Sequence, residues 1–161
     1  MPTKFGFEQS VYVVTTVAAF PAITAAEVNA GVQIEEDLPN PVNFSGTTNR
    51  ADTSVTASRQ DRSEPGTLTL ASLNVEAFNR KAAANIAIPA LDDDTTYYLV
   101  KFEGGNVAAG DHGTPAIGDK CDAAQVTVGT KSDVDTPRGD ARRMSIPMEI
   151  ISTVARDVVL T

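Results

Sequence analysis

Cysteine, histidine and tryptophan are almost missing from this chain. Its 161 residues include one Cys (Cys121), one His (His112) and no Trp. A lone thiol excludes a disulfide-stapled scaffold, and one thiol with one imidazole leaves no ligand set for a zinc site. Positive charge is scarce as well: 13 Lys+Arg face 21 Asp+Glu, a formal net charge of −8. Proteins that grip a nucleic-acid backbone displace counterions with a basic surface, so that class is disfavoured. Long apolar runs are also absent. The longest, Val11 to Ile23, is broken by Thr15, Thr16 and Pro21 and is shorter than the ~20 residues a bilayer span needs. Glu8 occupies the flank that a secretory leader keeps basic, so the run is not read as a leader. Leucine is the last shortage, with 7 Leu against 17 Val, 18 Thr and 8 Ile. β-branched side chains suit a pleated surface, so the composition predicts an all-β fold with little helix.

The length suits one domain over residues 1–161. Met1 to Ser10 has no clear period and reads as an N-terminal arm. Val11 to Val17 reads as a strand. Thr24 followed three residues later by Glu27 forms a capping box, and Gly31 reads as the left-handed stop of a helix of at most two turns. The stretch 43–64 is nearly all polar, so disorder competes there with a long hairpin excursion. Val55 and Ala57 alternate with Ser54, Thr56 and Ser58, which favours the hairpin. Thr67 to Leu70 alternates, and beyond Ala71 the apolar phase shifts by one residue, as at a β-bulge. Glu76 to Asn85 has apolar spacing acceptable for a helix. Thr95 to Glu103 is the clearest buried strand. Cys121 to Lys131 and Arg142 to Ile151 each alternate, joined by a connection rich in turn-formers, and Val154 to Leu160 makes a last short strand.

Two long hairpins follow, roughly 42–76 and 121–151, each with one apolar and one wet face. Exposed hairpin edges are an aggregation hazard for a lone chain, and pairing them around a closed ring of identical copies removes it.

No catalytic constellation emerges. His112 lies in Gly110-Asp111-His112-Gly113 with no nucleophile motif beside it, and reads as a solvated loop residue. Asp92-Asp93-Asp94 places Glu103 at the twelfth position of a calcium loop, but Tyr97 stands where that loop requires Gly, so the triplet reads as a solvated turn. Arg138-Gly139-Asp140 matches an adhesion tripeptide and reads as hairpin geometry. Asn43-Phe44-Ser45 fits a glycosylation sequon that is empty without a secretory signal. Cys121 reads as a small buried apolar residue, in keeping with synthesis in a reducing compartment. No catalytic residue, cofactor or metal ligand is assigned.

Three stretches together resemble tail tube proteins (major tail proteins) of long-tailed bacteriophages. They are Thr24 to Gly31, the polar run from Asp52 through Pro65-Gly66 to Leu70, and Pro137-Arg138-Gly139-Asp140 to Ile150. The resemblance implies a β-sandwich or barrel-like fold with one or two short flanking helices. It implies six copies closing into a ring through intersubunit strand pairing, four strands from each lining a lumen. The rings would stack into a tube that conducts the genome. On that basis the lumen-facing candidates are Thr67, Thr69, Asn74, Gln125, Thr127, Arg143, Ser145 and Glu149. The polar excursion 43–64 becomes an inter-ring loop or hairpin, with Arg50, Asp52, Arg59, Asp61, Arg62 and Glu64 as ion-pairing candidates.

Expected partners are further copies of the chain, then tape-measure, tail-tip and terminator proteins, with genomic DNA passing without specific binding and no membrane. The expected location is the virion tail, assembled in the host cytoplasm. Six copies would carry about −48, a field that disfavours adhesion of a polyanion. Two alternatives stand beside this reading. One is a tail terminator or neck ring protein of the same fold. The other is a monomeric β-sandwich module for carbohydrate or cell-surface receptors, with His112 and Arg138-Gly139-Asp140 at loop tips, which the absence of Trp opposes.

Overall fold

Two kinds of strand are distinguishable by their apolar pattern. In β1 (Gln9–Val14) and β6 (Thr96–Glu103) successive residues are apolar, and both faces are buried. In β5 (Leu73–Phe78) and β9 (Arg143–Ile150) apolar and polar residues alternate, and one face is buried. The computed structural model describes residues 9–52, 63–70, 72–80, 84–103 and 114–161, with backbone alone for 46–52 and 63–70.

The remaining strands and α-helices are α1 (Ala25–Asn29), β2 (Val32–Gln33), β3 (Gly46–Asp52), β4 (Ser63–Leu70), α2 (Ala87–Ala90), β7 (Lys120–Val128), β8 (Ser132–Val134) and β10 (Ala155–Val159), with a single 3-10 turn at Glu35–Asp37. Eight strands make one antiparallel sheet in the order β2-β1-β6-β7-β9-β5, which does not close within one chain. Near its middle the sheet forks. β7 and β9 pair only over Val126↔Ile150 to Val128↔Met148. Further along, β10 takes the free half of β7 and β8 the free half of β9. The all-β expectation with two short flanking helices therefore holds.

The front face of the sheet carries Val11, Val13, Tyr97, Leu99, Ala124, Val126, Val128, Leu73, Val75, Ile146 and Met148, all buried. Ile34, Val42, Phe44, Ala87 and Leu91 from the connecting segments cover it. Asp37, buried, fixes this cover. Its Oδ2 accepts from Ile86 N at 2.6 Å and Ala87 N at 2.9 Å, at the start of α2, and Arg80 Nη1 lies 3.6 Å from Oδ1. The back face is dry only in part. Tyr12, Val14, Val100, Phe102, Cys121 and Ala123 lie under α1, Ile23 and Leu160.

The capping box forms as read. Glu27 N donates to Thr24 Oγ1 (3.2 Å) and Thr24 N to Glu27 Oε2 (2.9 Å). Gly31 acts differently from the expectation. The cap is Ala30 in right-handed conformation, and the positive-φ glycines of the described chain are Gly118 and Gly139. Gly31 is needed for space, because a Cβ there would stand 2.8 Å from Val13 O and 2.9 Å from Val14 Cγ2.

Two expectations are corrected. Glu76 to Asn85 is not one helix: Glu76 to Phe78 finish β5, paired with Ser145 to Arg143, and α2 begins only at Ala87. The 42–76 ribbon is not one hairpin either. β3 pairs with β4 in a separate two-stranded sheet, while β5 joins the main one. The phase change after Leu70 marks a change of sheet, and the bulge of this hairpin lies between Thr48 and Arg50.

Candidate functional site

Where α1 ends its cover, the back face of the sheet becomes polar. The register places Gln125 beside Tyr98, Thr127 beside Thr96 and Glu149, Glu76 beside Ser145, and Asn74 beside Pro147. Six of the eight wet-face candidates (Asn74, Gln125, Thr127, Arg143, Ser145 and Glu149) thus share one continuous surface. None of the six is fully buried. Thr67 and Thr69 lie in β4, in the other sheet.

Side chains on this surface are tied to one another. Ser145 Oγ donates to Asn74 Oδ1 at 2.7 Å, and Thr96 and Thr127 share a hydroxyl bond of 3.1 Å. Gln125 Nε2 donates to Tyr98 Oη at 3.4 Å. Arg143 Nη1 lies 3.5 Å from Glu76 Oε2, and its guanidinium sits 5.7 Å from the centre of the Phe78 ring. Among the described residues of β5, β6, β7, β8 and β9 on this face, Arg143 is the one cation, and Glu76 and Glu149 are the anions. Bonds of this kind lock rotamers, and beside Thr127 and Glu149 the surface dips into an open hollow lined also by Ser72, Asp94, Gly129 and Pro147.

A second construction roots the hairpin. Gln9, buried, donates from Nε2 to Val42 O (2.9 Å) and accepts from Val42 N (2.7 Å). Arg156 Nη2 donates to Phe44 O (2.7 Å), and Lys101 Nζ stands 5.4 Å from the centre of the Phe44 ring. Lys101 is only 4% exposed and is held by Glu103 (2.5 Å) and Asp122 (4.0 Å). The ammonium beside Glu103 holds that carboxyl below the usual range. Asp122 in turn takes Arg156 (3.1 Å) and Asp157 N (3.0 Å). The chain therefore enters β3 from a fixed point. Sequence reading missed this clamp, although a lysine inside the apolar run Tyr97 to Phe102 was a visible signal.

Of the inter-ring candidates, Arg50 and Asp52 fall in β3 and Glu64 in β4, while Arg59, Asp61 and Arg62 lie outside the described residues, as does His112. Asp92, Asp93 and Asp94 form an exposed turn at one end of β6, and Glu103 lies at its other end, so the four carboxylates do not converge. Lys131 Nζ lies 2.8 Å from Asp93. Arg138-Gly139-Asp140 is an exposed turn with Gly139 at φ +105°. Cys121 is buried, and desolvation, reinforced by Asp122 and Asp119, pushes its thiol up to about 12. Among the described residues no group of three His, Cys, Asp or Glu is arranged to hold a metal ion. No described helix is long and apolar enough to cross a membrane.

No curated protein matches the sequence. A family model described as phage tail tube protein matches residues 8–161, nearly the whole chain. By that match, the chain belongs to the phage tail tube protein family and is a structural component of the virion tail.

Proposed function

We propose that the chain is the repeating subunit of the tube itself. Six copies close into a ring, the rings stack, and the genome passes through the bore without being held. One observation carries this reading: the bare, polar half of the back face. A polar face that the described residues leave uncovered suits the wall of a water-filled channel. A phosphate backbone moving along it would meet Glu76, Glu149 and a guanidinium already engaged by Glu76, so the described residues of this face offer no free cation as a foothold. The lining proposed is Asn74, Gln125, Thr127, Arg143, Ser145 and Glu149, with Thr67 and Thr69 supplied from the hairpin.

The excursion 43–64 reaches the neighbouring ring, where Arg50, Asp52, Arg59, Asp61, Arg62 and Glu64 form exposed ion pairs. Each such pair contributes about 0–1 kcal/mol and acts through repetition around the ring. Tape-measure, tail-tip and terminator proteins are the further partners, and assembly takes place in the host cytoplasm. The role is structural and requires no catalysis or cofactor. Negative-stain microscopy of the purified protein tests the reading. Stacked hollow filaments are expected, isolated rings would assign the chain to a terminator, and lone small particles would overturn it.

A further inference from the structure

The strand β10 breaks its own ladder. Ala155 pairs with Ala123, but Val158 pairs with Cys121 and Val159 with Lys120, so the register shifts between Ala155 and Val158. Arg156 and Asp157 fall in that shift, and Asp157 takes a φ of +51°, which is uncommon for a residue with a side chain. Asp122 holds this backbone in place, its Oδ1 accepting from Asp157 N at 3.0 Å. A β-bulge re-aims a side chain, and backbone held in an unfavourable region points to a reason beyond local preference. Here the side chain re-aimed is Arg156.

Its guanidinium spans two elements. Nη1 lies 3.1 Å from Asp122 Oδ2, and Nη2 donates to Phe44 O at 2.7 Å. Phe44 stands just before β3, which begins at Gly46. Among the described residues, β3 and β4 pair with each other and with no strand of the main sheet. A ribbon without a lateral partner takes its direction from its roots. At this root Gln9 holds Val42 by its N–H and its carbonyl, and the Phe44 ring is buried. The Phe44 carbonyl belongs to the next peptide, the one that leads through Ser45 into the hairpin, and Arg156 holds it. The rigid fork of arginine fixes both of its partners at once, which the single head of a lysine does not.

We infer that Arg156 is the positioning residue of the β3–β4 hairpin: from the bulge in β10 it fixes the angle at which the hairpin leaves the body, and so readies it for the neighbouring ring. This rests on the tube-subunit reading and names the residue that decides assembly competence. A ribbon already held in its working direction loses less freedom on docking than one that is not. The arrangement also separates aim from stability. The Arg156 side chain is 55% exposed, and without it Asp122 keeps Lys101 Nζ at 4.0 Å and Asp157 N at 3.0 Å, so no buried charge is orphaned.

Arg156→Ala tests it, with Asp157→Gly as control. Glycine suits the positive φ and keeps the backbone bond to Asp122. Spin labels on Thr48→Cys in the hairpin and Asp133→Cys on exposed β8 report the hairpin's direction as an electron–electron distance, with labelled copies diluted among unlabelled ones. Cys121, 3% exposed, takes no label. Both variants are expected to keep the wild-type circular dichroism spectrum. Arg156→Ala is expected to broaden or shift the distance distribution and to lose roughly ten-fold or more of the material that sediments as assembled. Asp157→Gly is expected to match wild type in both readouts.

Arg156→Lys gives an answer even where alanine at this position unfolds the chain. It keeps the charge and the aliphatic stem but loses the fork, and is expected to fall between wild type and Arg156→Ala in both readouts. A wild-type distance distribution or wild-type assembly in both arginine variants overturns the assignment and leaves the tube reading intact. Loss of assembly in Asp157→Gly as well makes β10 itself a contact surface and also overturns it. Wild-type protein that never assembles overturns both readings.

Discussion

The back face of the sheet has two halves built on shared strands but with opposite chemistry. Within β7, Cys121 and Ala123 are buried beneath α1 and Leu160, whereas Gln125 and Thr127, on the same face two and four residues on, are only half-buried. The covered half is sealed by the end of the chain: Ala25 N donates to Thr161 O at 3.0 Å and Thr161 N to Ile23 O at 3.2 Å. The bare half has no such lid among the described residues, and polar side chains bonded to one another replace it. A strand thus records in its side chains where its own chain stops covering it.

Four substitutions test this division, from largest effect to smallest. Val100→Asp places a carboxylate at a fully buried site of the covered half, with no cationic partner, and is expected to abolish folding, seen as loss of the circular dichroism signal at 25 °C. Gly31→Ala forces a methyl group against Val13 O, the joint between α1 and the sheet, and is expected to destabilise by about 1–3 kcal/mol in urea titration.

Glu27→Gln probes the same lid through pH. The Glu27 carboxyl is held below its ordinary value by N–H bonds from Thr24 and Ala18. A depressed folded-state value means stabilisation that is complete above the unfolded value of about 4.3 and is lost as pH falls through the folded one. The variant is therefore expected to melt below wild type at pH 7, with the gap narrowing steadily in acid. Gln125→Glu, on the bare half, is expected to change stability by less than about 0.5 kcal/mol and to leave assembly unchanged. A collapse of folding there would erase the distinction between the halves.

Much of this fold is readable from residues alone. Thr24 and Glu27 announce α1 because a capping box satisfies specific orphan N–H groups, a local matter. β1 and β6 are legible because burial on both faces leaves a continuous apolar run. The failures are non-local. Glu76 to Phe78 sit in a stretch whose alanines suit a helix, yet pairing with Arg143 to Ser145 makes them strand. Apolar phase reports which face of a strand is dry and says nothing of which sheet it joins, so the step after Leu70 was open to misreading. Gly31 drew attention as a helix stop, but its reason lies in the approach of Val13, which is close only after folding. The wet-face residues were found by alternation in β5, β7 and β9. The Gln9, Lys101 and Arg156 clamp joins positions far apart in the chain, and no periodicity encodes it.

The single sulfhydryl, sealed under α1, has a consequence for cohesion. With no thiol on the bare half, on the β5 edge or at the hairpin root, native copies have nothing with which to form covalent links through sulfur. In the proposed tube, contacts between copies would then form without disulfide links, whether the surroundings are reducing or oxidising.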